Sequence, residues 1–193
     1  MSKLSIGDKS GRISDVHFVY VRIQSPTKKY QSEETEYTVG VVVDEDTADA
    51  MKEKFKKNGV KEVKTAEFED KYKFAPPYPS EKKQYILNFK TNSHMLDKDT
   101  NKLVPKPYEW NIRPKVYVPD GDKVKDVTRD LLVGNGSFGD VAFNISDTSF
   151  GVIHNLAGIL VKDLIERDPP ANTTPFGEVV ESNHHEEDDN VPF

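Results

Sequence analysis

The chain has 193 residues, enough for one domain with a substantial core, and its lack of cysteine excludes disulfides and thiolate zinc sites. Its formal net charge of −6 argues against nucleic acid only until the charge is located. Residues 178–193 hold six acidic side chains and no basic one, which leaves the other 177 residues with 27 basic against 27 acidic groups, a neutral body that can hold a basic groove if its charges are segregated.

Residues 1–7 include no apolar signal segment, and no run approaches the length of a membrane span, so the sequence reads as a cytoplasmic protein with no membrane partner. From Val16 to Ile23 both alternating faces are rich in β-formers, which predicts a strand with few solvent-facing positions. Ser25 and Pro26 end it, and Lys28, Lys29 and Tyr30 fall in the following loop. Residues 37–43 form the next strand, with Gly40 marking a bend or bulge. Asp46 and Thr47 are N-cap candidates for a helix running to Asn58, with Gly59 as its stop. Met51 and Phe55 give that helix an apolar stripe, and Lys52, Lys54, Lys56 and Lys57 lie around its outside.

Residues 61–83 show no clear period, and the proline knot at 75–79 excludes helix and inner strand there. Residues 85–90 read as a strand, and a turn cluster at 97–101 leads into 102–110. Residues 113–118 form another strand, with a turn at 119–122. Val141, Phe143 and Ile145 alternate as a strand, and 153–165 closes the domain with Leu156, Ile159, Leu160, Val161 and Leu164 as its apolar set. Phe18, Phe89 and Phe143 are assigned to the core, while Phe138, among glycines, is left open. The expected fold is mainly β: an antiparallel barrel with one helix and long loops over residues 1–167, then a disordered acidic tail over 168–193. With only two clear strands before the helix, either residues 3–13 hide a strand or the barrel is a variant.

Signals for catalysis are weak. Gly134, Gly136 and Gly139 match a G-x-G-x-x-G pattern, but the residues that follow alternate as a strand, so no helix N-terminus stands behind a phosphate. His184 and His185 beside four carboxylates are metal-ligand types without a fixed geometry, and His17, His94 and His154 are isolated. The sequence indicates no enzyme, cofactor or metal.

Aromatics interleaved with cations do recur. Single-stranded nucleic acid exposes flat bases and charged phosphates, so its groove needs stacking platforms beside lysine and arginine. Four groups qualify: Tyr20, Arg22, Lys28, Lys29 and Tyr30; Tyr72, with Lys71, Lys73, Phe74 and Tyr78; Lys82, Lys83, Tyr85 and Lys90; and Lys106, Tyr108, Trp110, Arg113, Lys115 and Tyr117. In the last group Arg113, Lys115 and Tyr117 share strand parity and with Tyr108 are the favoured groove residues, whereas Trp110 fits a stacking platform or a core plug.

The terminal residues Asp188, Asp189, Asn190, Val191, Pro192 and Phe193 resemble the Asp-Asp-x-Ile-Pro-Phe terminus of bacterial single-stranded-DNA-binding proteins. The acidic tail closing on Phe is also similar to that of phage-encoded single-stranded-DNA-binding proteins, and the body is closer to the phage group in length and strand order. The resemblance implies an OB-type barrel, sequence-independent single-stranded DNA binding in replication or recombination, and host cytoplasm as the location. It further implies a tail that competes with DNA and contacts replication proteins such as polymerase or helicase-primase through Asp188, Asp189, Val191, Pro192 and Phe193. A homodimer exchanging tails and a strand-annealing activity are compatible with it. The rival reading is a β-rich interaction or virion protein whose tail hooks a partner.

Overall fold

The computed structural model describes residues 1–105, 113–149 and 151–167, and the backbone of 173–174 and 177–178. Ten strands form one mixed sheet. They are β1 (Lys3–Ile6), β2 (Ser10–Lys28), β3 (Thr35–Val43), β4 (Val60–Lys64), β5 (Lys83–Leu96), β6 (Leu103–Pro105), β7 (Lys115–Asp120), β8 (Lys123–Asp126), β9 (Phe138–Thr148) and β10 (Gly151–Asp163). The main path runs β4-β5-β3-β2-β9-β10-β7-β8, with β1 on β2 and β6 on β5. Two helices decorate it, α1 (Glu45–Lys54) and α2 (Thr65–Tyr72). A separate two-strand ladder joins β11 (Thr173–Thr174) to β12 (Gly177–Glu178).

The mainly β expectation holds, and β1 is the strand hidden in residues 3–13. Three details differ. One pair, β7 with β10, is parallel. The sheet curls but does not close: the Phe89 and His154 rings of β5 and β10 lie 4.9 Å apart, yet no ladder joins those strands. A second helix fills the stretch that showed no period. It is needed because Val19, Val42, Val63 and Ile86 are apolar on the outer sheet face, and Phe68 and Tyr72 of α2 cover them.

The long β2 explains its own ambiguous pattern. Register shifts fall between Ile13 and Val16 against β9, and between Val19 and Arg22 against β3. Asp15 and Tyr20 sit at these bulges with φ of 62° and 51°. Each bulge switches parity, so Ile13, then Val16 and Phe18, then Val21 and Ile23 all enter the main core. Phe18, Phe89 and Phe143 are fully buried. Helix α1 starts two residues earlier than the earlier of its expected caps: Asp44, not Asp46 or Thr47, is the N-cap, its carboxylate accepting from the Thr47 amide at 2.9 Å. It also stops earlier, because Phe55 turns extended (φ −118°) to reach the core.

Candidate nucleic-acid interface

The bulge in β2 positions the most accessible aromatic of the sheet. Tyr20 stays 46% exposed in left-handed backbone, a conformation that a bulky residue rarely adopts without support. The support is Asn135. Its Oδ1 accepts from the Tyr20 amide at 2.8 Å, and its Nδ2 donates to the Tyr72 carbonyl at 3.2 Å. The Tyr20 ring lies 5.4 Å from that of Tyr72, and the Lys71 ammonium stands 5.5 Å from the Tyr72 centroid. Among the described residues Arg22 has no carboxylate partner, only a long contact to the Val21 carbonyl. At the far end of β2, Tyr30 is 89% exposed, while Lys28 and Lys29 pair with Glu33 and Glu34 at 2.6 and 2.8 Å.

The structure distributes the other sequence candidates unevenly. Tyr72 and Tyr85 are buried and offer no open face for a base. The Tyr85 hydroxyl donates to Glu45 at 2.7 Å, and that bond with burial pushes its pKa up to about 12. Lys83 is bound to Glu62 at 2.5 Å and Lys90 lies 3.5 Å from Glu36, whereas Lys82 is exposed with no carboxylate partner among the described residues. Arg113 donates to the carbonyls of Ile23 and Gln24 at 3.0 and 2.6 Å and stands over Tyr37, so it clasps β2. Lys115 is paired with Asp126 at 2.8 Å, and this bond holds the carboxyl far below its ordinary range. Arg113, Lys115 and Arg129 nonetheless line one cleft of about 470 Å³, and the half-buried Tyr117 lines another. Lys106, Tyr108, Trp110, Asp188, Asp189, Val191, Pro192 and Phe193 lie outside the described residues.

The glycine-rich 134–139 segment leads into β9, and its amides are used internally. Gly134 donates to the Ile165 carbonyl at 2.7 Å and Gly136 to the Phe18 carbonyl at 2.9 Å. Among the described residues no group of three or more His, Asp or Glu side chains gathers as a metal site. Nor, among the described residues, is any helix long and apolar enough to cross a membrane.

Sequence reasoning missed Asn135, whose partner Tyr20 is too distant in the chain for any local signal. It also assigned Lys57 to a solvated helix flank and passed over Lys61; both lie by the open edge of β5. His154, isolated in sequence, is buried there against Phe55 and Phe89. Burial pushes its pKa below the ordinary 6.5, against the opposing hydrogen bond with the Asn58 carbonyl. With the folded-state pKa depressed, the stability this group contributes is complete above the unfolded value and is lost as pH falls through the folded one. Thermal melts at about pH 8 and about pH 5.5 should therefore differ more for the native chain than for His154→Gln. Equal differences in the two proteins would show that His154 does not titrate in this window.

No protein-family model matches the chain, and no curated protein is detectably similar in sequence. Similar solved structures include phage single-stranded DNA-binding proteins. The gp2.5 protein of bacteriophage T7 aligns over 92% of this chain and 100% of its own at 16% identity, with a TM-score of 0.47. The C-terminally truncated protein of bacteriophage Enc34 covers 83% of this chain and 87% of its own at 15% identity and a TM-score of 0.42. The Enc34 protein in complex with single-stranded DNA covers 88% and 97% at 13% identity and a TM-score of 0.42. These likenesses assign no residue a role.

Proposed function

We propose that this chain binds single-stranded DNA without sequence preference, in phage replication or recombination. The observation that carries the reading is Tyr20: an open aromatic face, held in strained backbone by Asn135 and flanked by the uncompensated Arg22. Strain of this kind persists only where surrounding contacts enforce it, and an exposed ring beside a cation suits a stacked base and its phosphate. Tyr30, Lys28 and Lys29 extend the same edge.

The acidic segment 178–193 acts as a competing anion that DNA displaces, and Asp188, Asp189, Val191, Pro192 and Phe193 then engage replication proteins such as polymerase or helicase-primase. The body over residues 1–167 carries the DNA site. The chain performs no catalysis in this role.

Fluorescence anisotropy of labelled oligo-dT tests both halves, using the full chain, a 1–177 truncation and Tyr20→Ala. Truncation should tighten binding most at low salt, because a screened competitor matters less. Tyr20→Ala should weaken binding by about 1–3 kcal/mol, roughly five- to 150-fold. Absence of binding by every form would leave a partner-binding protein whose body never meets nucleic acid.

A further inference from the structure

The curled sheet stops one ladder short of closure, and the gap has a distinctive lining. One edge of β5 pairs with β4 up to Leu87 and with β6 from His94; between them the Asn88 amide donates to the Gly59 carbonyl, and among the described residues no strand pairs with 89–93 on that edge. The facing edge of β10 meets β7 only at residues 158–160, and among the described residues no strand pairs with 151–157 on that side. Between them lies a slot of about 370 Å³, within the roughly 300–1,000 Å³ of small-ligand pockets. It continues past Gly59 and Asn88 into a second hollow that includes Lys61.

Two kinds of group meet in this slot. Lys57, Lys61 and Lys90 supply positive charge against the single lining carboxylate, Glu36, which lies 3.5 Å from Lys90. Asn88, Asn92 and Asn155 supply amides, and the last two have no side-chain hydrogen-bond partner among the described residues. His154, only 9% exposed, lines the same slot. Its Nε2 lies 3.0 Å from the Asn58 carbonyl, which only accepts, so Nε2 carries the proton and Nδ1 is a bare acceptor. That Nδ1 is buried with no partner, an unmet demand for an N–H donor.

We infer that single-stranded DNA runs along this slot, with one unstacked base entering between β5 and β10. The inference rests on the DNA-binding reading above and gives the strand a path that Tyr20 alone does not. Every base carries an N–H donor on its pairing edge, free only when the base is unpaired. This donor meets His154 Nδ1, the amides of Asn92 and Asn155 take the remaining polar groups, and flanking phosphates meet Lys57, Lys61 and Lys90. A duplex, whose pairing edges are occupied, is excluded from the slot.

The test uses the full chain and an oligo-dT carrying 4-thiothymidine. Irradiation and peptide mapping should place crosslinks at residues 88–92 or 153–155, and the duplex form should give none there. In salt titrations the exposed pair Lys57→Gln/Lys61→Gln should lower the slope of log K against log salt by about 1.4, two single-strand phosphates' worth, at unchanged melting temperature. If the native chain binds DNA but the slope is unchanged and crosslinks fall only elsewhere, the slot is off the path and the DNA-binding reading survives. If the native chain binds no DNA, both fall together.

Discussion

Replacing Phe143 by alanine should lower the unfolding free energy by about 3–5 kcal/mol, a large part of the roughly 5–15 kcal/mol that holds a domain of this kind together. The side chain is fully buried where three elements meet. Its ring stacks on Phe89 of β5 at 5.1 Å and meets Phe55, just after α1, edge-on at 6.1 Å. His154 of β10 lies 6.0 Å away. Truncation removes the ring that ties both sides of the open seam to the helix that caps it, and the neighbours cannot collapse into the space without dragging strands together. Urea denaturation should show a lower midpoint at unchanged slope.

A partner substitution makes this result specific. Gly11 lies directly across the β2–β9 ladder from Phe143, and a Cβ there would come within 2.2 Å of the ring's Cζ. Gly11→Ala alone should cost about 1–3 kcal/mol through overpacking. Combined with Phe143→Ala the methyl enters vacated space, so the double variant should be more stable than the sum of the two losses predicts, by at least about 0.5 kcal/mol. Strict additivity would mean that the ring and the glycine do not share one packing site.

How much of this was legible in the sequence depends on whether local pattern or distant contact decides each residue. The three buried phenylalanines, the strands around 37–43 and 85–90 and the turn at 97–101 follow from period and turn chemistry. In that turn Asp97 accepts from the Thr100 amide at 2.7 Å, as an Asx-type turn should. Helix α2 was not legible, since eight residues with Lys64 as an N-cap lacking any side-chain bond offer only the Phe68–Tyr72 spacing as a signal. Its existence is dictated by apolar residues on four strands, a tertiary demand that no window of sequence contains.

The candidate site divides the same way. Composition singled out Tyr20, Arg22 and Tyr30, and the structure leaves all three at least partly open. It could not tell that Tyr72 and Tyr85 face inward, because an amphipathic tyrosine serves a core and a groove equally well. Nor could it show that Arg113 and Lys115 have carbonyl or carboxylate partners, since those come from β2 and β8. Lys57 was overlooked because a lysine-rich helix end is usually solvated surface, and only the fold brings it and Lys61 beside the edge of β5.

The bulge at Asp15 raises the second large effect. Asp140 of β9 is 2% exposed, and its carboxylate accepts from the Arg12 guanidinium, from Lys162 at 2.6 Å and from the Asp15 amide at 3.0 Å. Asp15 in turn binds Lys3 and Lys162 at 3.1 and 3.0 Å, so one carboxylate anchors a network that fixes the left-handed turn of β2. Burial alone would raise the Asp140 pKa, but the bonds from Lys162, Arg12 and the Asp15 amide more than offset it and hold the group below 3.8. With a depressed folded-state pKa, its stabilisation is present above the unfolded value and lost as pH falls through the folded one. Asp140→Ala should cost about 2–4 kcal/mol near neutral pH, less than a fully buried pair because Arg12 and Lys162 reach water. Asp140→Asn keeps an acceptor for the Asp15 amide and should fall between, with a shallower loss of stability below about pH 4 than the native chain. Because the bulge sets the parity of all that follows in β2, Asp140→Ala should also speed amide exchange at Val16 and Phe18. A native-like exchange pattern there would mean that the bulge is held by its neighbours' packing and not by this carboxylate.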